Sequence, residues 1–130
     1  MLRPGLTLAE IDSFVARTLD ELDCTSAFFG YRVRGHPPYP SHACLSVNDC
    51  IVHGTHTMTQ RPLEPGDILS VDIGVRHRGF IGDAAWTYAI GGHDELAGAL
   101  MSCGKESLRR GIEAMQPGQP LVAWARTVQN

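Results

Sequence analysis

The stretch Val71-Asp72-Ile73-Gly74, followed after a short gap by Gly82-Asp83-Ala84-Ala85-Trp86-Thr87-Tyr88, decides how this chain is read. β-Branched and aromatic residues flank Arg76-His77-Arg78-Gly79, which predicts a hairpin with arms over about 67–75 and 80–90. Aspartate is depleted in strands, yet each arm carries one. With His77-Arg78 as a two-residue turn, Asp72 lies opposite Asp83; a three-residue turn or a bulge moves the pairing by about one position. Like charges facing each other on a sheet repel. They are tolerated when a cation lies between them or when one takes a proton. Two carboxylates on a rigid hairpin therefore suit a Mn, Fe, Co or Zn site. Spacing alone leaves a plainer reading open, in which both side chains face water or cap nearby turns. Gly74, Gly79 and Gly82 add a sign of backbone crowding around the acids.

Upstream, residues 7–22 read as a helix. Thr7 is its predicted N-cap, with Glu10 as capping-box partner. Leu8, Ile11, Val15, Leu19 and Leu22 form one apolar face. Residues 24–42, rich in Gly, Pro and aromatics, predict an irregular ordered loop. Residues 43–47 and 50–53 read as two short strands around Asn48-Asp49, and 55–66 as a connection ending in Pro65-Gly66. Downstream, 94–115 read as a second helix with Leu96, Leu100, Leu108, Ile112 and Met115 as apolar positions. Gly98, Gly104 and Gly111 weaken it, by about 1 kcal/mol each relative to alanine. Residues 119–129 begin a third helix. A weak internal repeat relates Arg3-Pro4-Gly5-Leu6-Thr7-Leu8 to Gln116-Pro117-Gly118-Gln119-Pro120-Leu121, each copy following a methionine, Met1 or Met115.

The 130 residues suit one domain, and 43% hydrophobic and 19% charged residues with a mean hydropathy of −0.09 exclude a disordered chain. No apolar run approaches the ~20 residues of a membrane span, so no membrane partner is expected. Eleven basic and fourteen acidic residues give a net charge of −3, which offers no general attraction for DNA. Four cysteines without a CxxC pair, and an opening Met1-Leu2-Arg3-Pro4-Gly5 unlike a signal peptide, read as a cytoplasmic protein with reduced thiols.

His53, after Cys50-Ile51-Val52 and before Gly54, is a second candidate, able to hydrogen-bond a substrate or move a proton near neutral pH. For any one of six histidines a structural or solvated role is the default, and nothing marks out His36, His42, His56, His77 or His93. No HExxH zinc pattern, GxSxG elbow or phosphate-binding glycine loop occurs. Cys44 in a strand reads first as a small buried apolar residue.

Together these stretches resemble the methionine aminopeptidases, metal-dependent peptidases of the pita-bread fold. The resemblance runs through Tyr39-Pro40-Ser41-His42-Ala43-Cys44-Leu45-Ser46-Val47-Asn48-Asp49, Val52-His53-Gly54, and Leu63 through Gly74. It continues through Gly79 to Tyr88, Glu106-Ser107-Leu108 and Met115-Gln116-Pro117-Gly118. The order of these segments and the eleven-residue step between the aspartates make it specific. It implies an α+β fold, an incomplete pita-bread of antiparallel hairpins with flanking helices. It implies that Asp72 chelates one metal and Asp83 bridges two, the ions being Co, Mn, Fe or Zn. His53 would contact the substrate backbone and help stabilise the tetrahedral intermediate; Tyr39 and Cys44 would lie near the methionine side-chain pocket. The implied partner is a peptide or nascent-protein N-terminus, with ribosome association as an option and a monomer as the family's usual state.

The family's remaining ligands, one histidine and two glutamates, come from a later part of its chain, and none is assigned before Asn130. Residues 1–130 are thus expected to form a single partial catalytic domain lacking the C-terminal half. Pro37-Pro38 and Trp86 also depart from the family's pattern and affect the expected pocket. Two functions follow: a methionine aminopeptidase of which this is the N-terminal part, or a truncated, non-catalytic relative that binds metal or a protein partner.

Overall fold

The capping box expected at Thr7 starts the first helix in the computed structural model, which describes residues 2–129. The chain divides into two units, Met1–His93 and Asp94–Asn130. The first holds α1 (Leu8–Glu21), β1 (Thr25–Ser26), β2 (Cys44–Val47), β3 (Ile68–His77) and β4 (Phe80–Ala89). The second holds α2 (Glu95–Ala114) and α3 (Leu121–Gln129).

At the start of α1 the Thr7 hydroxyl accepts the Glu10 N–H at 3.3 Å, while the Glu10 carboxylate accepts the Thr7 N–H at 2.8 Å. The helix ends in a Schellman-type turn. Asp23 takes a positive φ of 54°, and the Cys24 N–H donates to the Leu19 carbonyl at 2.8 Å. Leu8, Ile11, Val15 and Leu19 bury one face against Ala43, Leu45, Leu63, Leu69 and Ile90. Each buried leucine or isoleucine contributes about 1.5–3 kcal/mol relative to exposure.

β3 is the shared strand. One edge pairs antiparallel with β4 from Ile68↔Ala89 to His77↔Phe80. The other edge pairs with β2, from Cys44↔Asp72 to Val47↔Leu69, and then with β1 at Ser26↔Val75 and Thr25↔Arg76. Period-two alternation gives β3 two characters. Leu69, Val71 and Ile73 share the core side with Leu45 and Val47; Ser70, Asp72 and Gly74 share the other side with Cys44, Ser46, Asp83 and Thr87. On that second side the Ser70 and Thr87 hydroxyls meet at 2.7 Å.

Two sequence expectations are corrected here. The β3–β4 turn is Arg78-Gly79, not His77-Arg78, with φ of 49° and 86° at its two central residues. Positive φ at both positions is the geometry that matches the strands' right-handed twist. The ladder runs out to His77↔Phe80, so Asp83 faces Gly74 and Asp72 faces Ala85. Residues 50–53 are not a strand. β2 takes its ladder from β3, and His53 has a positive φ of 60°, which no strand residue adopts. What remains of the expected pairing is one backbone bond, from the Leu45 N–H to the Gly54 carbonyl at 2.8 Å.

The second unit is a helix pair. The Asp94 carboxylate caps α2 by accepting the Ala97 N–H at 2.8 Å. Gly98, Gly104 and Gly111 are all accommodated within α2. At Gly111 an added Cβ would come within 2.9 Å of Trp124 and Val128, so the glycine lets α3 approach. Both copies of the repeat make a Pro-Gly turn with positive φ, at Gly5 (89°) and Gly118 (83°), three residues before a helix. Met1, which opens the first copy, lies outside the described residues. Among the described residues no helix is long and apolar enough to cross a membrane.

A buried carboxylate fixes the entry to β3. Asp67 accepts from both Arg61 guanidinium nitrogens (2.9 and 3.1 Å), from Asn48 Nδ2 (2.8 Å) and from the Glu64 N–H (2.8 Å). Asn48, at φ 51°, also accepts the Ile68 N–H at 3.0 Å. Burial raises the Asp67 pKa, but the Arg61, Glu64 and Asn48 hydrogen bonds outweigh it and hold the carboxyl down at about 2. A depressed carboxylate adds stability above its unfolded value, which is lost as pH falls through the folded one. Asp67→Asn is therefore expected to lower unfolding free energy by about 2 kcal/mol at pH 5–6. The gap to wild type should close between pH 4 and 2 in denaturant titrations. A gap that does not change with pH would contradict this account.

Candidate metal centre and substrate pocket

The non-core side of the sheet carries the chemistry. Cys44, Asp72 and Ala85 form one row across β2, β3 and β4. Asp83 stands opposite Gly74, one diagonal step from Asp72, a spacing at which long side chains still meet. The register differs from the sequence reading, yet both aspartates remain on one side and close enough for Asp83 to raise the Asp72 carboxyl.

Asp72 is half-buried, and its Oδ1 is buried with no hydrogen-bond partner. Burial first, and then the hydrogen bond and charge of Asp83, push the Asp72 carboxyl above the ordinary aspartate range; His53 and Cys44 pull it back. A buried acceptor left unpaired costs about 1–3 kcal/mol, more when charged. A cation at this point would satisfy the oxygen and remove the repulsion. The two carboxylates fit a divalent ion as oxygen donors. Among the described residues no group of three metal-ligating side chains gathers anywhere, so the pair alone would be only part of a coordination sphere.

The other three sequence-named residues stand around this pair. The Tyr39 hydroxyl donates to the Gly54 carbonyl at 2.7 Å and lies 3.2 Å from Cys44 Sγ. Burial, then Cys44 and the charges of Asp12 and Asp72, hold this phenol well above the usual tyrosine range, so it stays a neutral donor. Cys44 is buried, and burial pushes its thiol up as well, which makes it a poor nucleophile. The His53 N–H bonds the Cys44 sulfur while its imidazole is exposed at the rim, close enough to act on Asp72. Gly54 makes this possible. Its N–H donates to Ser46 Oγ at 3.1 Å, and an added Cβ would stand 2.2 Å from the Leu45 carbonyl oxygen. Gly74 is equally tight, because a Cβ there would meet the Phe28 ring at 2.5 Å. Phe28 packs edge-on to Tyr39 with centroids 6.4 Å apart.

A group near the site escaped the sequence reading. Asp12, on the buried face of α1, accepts the backbone N–H groups of His42 (2.7 Å) and Ala43 (3.2 Å). His42 Nδ1 and His56 Nδ1 lie 3.0 and 3.5 Å from its other oxygen. These two histidines do have a marked environment, contrary to expectation. The signal was a charged residue one turn after Leu8, inside the apolar stripe of α1. A groove of about 920 Å³ lies against α1 and is lined by residues that include Phe14, Val71, Ile73 and Tyr88. It touches neither aspartate.

A family model for metallopeptidase family M24 matches residues 1–130. The chain belongs to metallopeptidase family M24. Methionine aminopeptidase 1 of Bacillus subtilis (strain 168) is 32% identical over 128 residues, which are 98% of this chain and 49% of that protein. Methionine aminopeptidase 1 of Mycobacterium tuberculosis is 35% identical over 126 residues, covering 97% and 45%. The crystal structure of methionine aminopeptidase from Thermotoga maritima superposes with a TM-score of 0.89 at 34% identity, covering 98% of this chain and 49% of that one. The chain spans about half the length of the curated relatives it matches. The M24 chain thus has the α+β pita-bread fold over the part it shares with them.

Replacing Asp72 with asparagine removes the uncompensated charge and lets an amide donate to Asp83. The metal-free Asp72→Asn protein is expected to melt about 2–5 °C above wild type in a chelator-containing thermal scan. An equal or lower melting temperature would mean that the Asp72 oxygen is satisfied without a cation.

Proposed function

We propose that the protein carrying this chain is a methionine aminopeptidase that removes N-terminal methionine from nascent proteins by metal-assisted hydrolysis. The supporting observation is the Asp72–Asp83 pair with its orphaned buried oxygen, set beside His53, in an M24 chain matched over nearly its whole length by methionine aminopeptidases. Asp72 and Asp83 would hold divalent ions of the Mn, Fe, Co or Zn class as oxygen donors, completed by ligands other than these two carboxylates. Such ions, when bound, polarise a carbonyl and make water a stronger nucleophile near neutral pH.

The chain's own residues do the rest. Cys44 and Tyr39 line the pocket for the methionine side chain. The neutral Tyr39 hydroxyl keeps its proton and pins the Gly54 carbonyl, which sets the backbone that carries His53. His53, exposed at the rim, binds the substrate backbone and stabilises the oxygen that gains charge during hydrolysis. Residues 1–130 form one partial catalytic domain in this reading, and the protein works in the cytoplasm as a monomer that can meet its substrates at the ribosome.

A second reading applies to the 130-residue stretch alone. Two carboxylates with no third ligand among the described residues make a weak site, so this stretch by itself is non-catalytic. Release of methionine from a Met-Ala-Ser peptide, followed by mass spectrometry, tests both. The 130-residue chain should show none, and a longer protein should show turnover that depends on added metal. Asp83→Asn in that longer protein should lower kcat/KM by more than about 10²-fold. Unchanged turnover in Asp83→Asn would remove the metal assignment.

A further inference from the structure

Asp12 is 7% exposed in its side chain, carries a charge inside the core face of α1, and takes no part in the metal pair. Its contacts go to two separate arms of the site. One arm is Ser41-His42-Ala43, which runs from Tyr39 into Cys44; the other is His56, three residues after His53. Oδ1 accepts from the His42 and Ala43 backbone amides, and Oδ2 faces both imidazoles. Buried Ser41 closes the ring. Its Oγ lies 2.8 Å from His56 Nδ1 and accepts the His56 N–H at 3.0 Å. His42 is also fixed from outside, stacked on Phe29 with centroids 4.3 Å apart and planes 5° from parallel. The cluster does not have the spacing of a metal site. It is not a nucleophile relay either, because Ser41 and Asp12 approach the same nitrogen of His56 and Ser41 is fully buried.

We propose that Asp12, through His42 and His56, is a positioning residue that clamps the pocket arm (Tyr39, Cys44) and the His53 arm at a fixed separation. This rests on the peptidase reading above. Ser41 joins the same two arms beside Asp12, through its two bonds to His56, and the remaining ties fall elsewhere. The Tyr39–Gly54 hydrogen bond, the Leu45–Gly54 backbone bond, the Ser46–Gly54 bond and the Cys44–His53 contact all converge on the segment around residues 53 and 54. That segment has a left-handed residue at His53 and no side chain at Gly54, so its position is set by what it is bonded to and not by regular structure of its own. A buried carboxylate with several donors supplies stiffness from the helix, where the backbone is rigid.

The two imidazoles give separable readouts. In the longer active protein, His56→Ala frees the His53 arm and should lower kcat about tenfold with KM for Met-Ala-Ser nearly unchanged. His42→Ala frees the pocket arm and should raise KM several-fold with kcat nearly unchanged. His42→Asn, whose amide places a donor where Nδ1 stood, should restore KM. Asp12→Asn keeps an oxygen for the two backbone amides but cannot accept from both rings, and should show both effects.

A readout independent of turnover is the rate of Cys44 alkylation by iodoacetamide, mapped by mass spectrometry well below the melting temperature. It should rise about tenfold or more in His42→Ala and Asp12→Asn. If Asp12→Asn does not fold, the two alanine variants, whose rings are 27% and 28% exposed, decide the matter. Lower melting temperatures with unchanged kcat, KM and Cys44 labelling would overturn the clamp. A wild-type protein that releases no methionine would instead overturn the peptidase reading, and Cys44 labelling would still judge the clamp.

Discussion

The register of β3 against β4 is the constraint on which the rest depends. Side chains alternate with a period of two, so a slip of one residue would exchange Leu69, Val71 and Ile73 for Ser70, Asp72 and Gly74 on the core side. Core burial and site construction are therefore one decision. The Arg78-Gly79 turn fixes it at one end, with both central residues at positive φ. Asp67 fixes it at the other by tying Arg61, Asn48 and the Glu64 amide to the start of β3. Between those ends the aspartates are held in a relation that electrostatics alone would oppose. It persists because the apolar side of the same strands is buried against α1.

Two aspartates, one at the entry to β3 and one within it, show how environment assigns roles to one side-chain type. Asp67 is surrounded by donors and stays ionised to strongly acid pH, as a structural anchor. Asp72 has a carboxylate for a neighbour and an oxygen with no partner, so it is a poor anchor and suits a cation. Asp12 stands with Asp67 in being fully engaged, but its partners are two rings and two amides on separate loops.

Much of this was legible in the sequence where signals are local. The Thr7–Glu10 box, the apolar stripe of α1 and the two arms of the hairpin are short-range patterns, and each appears within a residue or two of its expected bounds. Asp72 and Asp83 could be named because an acid in a strand conflicts with local propensity. The misreadings concern non-local pairing. The run Cys50-Ile51-Val52 looks like a strand, but β2 had already been taken by β3, a partner some twenty residues away. The turn was placed one residue early because Arg78 carries no sequence mark of a left-handed conformation. His42 and His56 looked ordinary since what distinguishes them is Asp12, about thirty residues from His42 in the chain.

Gly54 has a consequence for how this molecule tolerates change. Any side chain there begins with a Cβ 2.2 Å from the Leu45 oxygen, closer than van der Waals contact permits, and the obstacle is backbone, which cannot swing aside. Position 54 thus admits one amino acid. Ile51, Val52 and Met58, a few residues away on the same arm, are exposed and touch little. Substitutions at these three exposed positions are therefore free to accumulate on either side of a point held against backbone. The surface around His53 can drift in character over generations while the backbone beside it stays close against Leu45 through a missing methyl group.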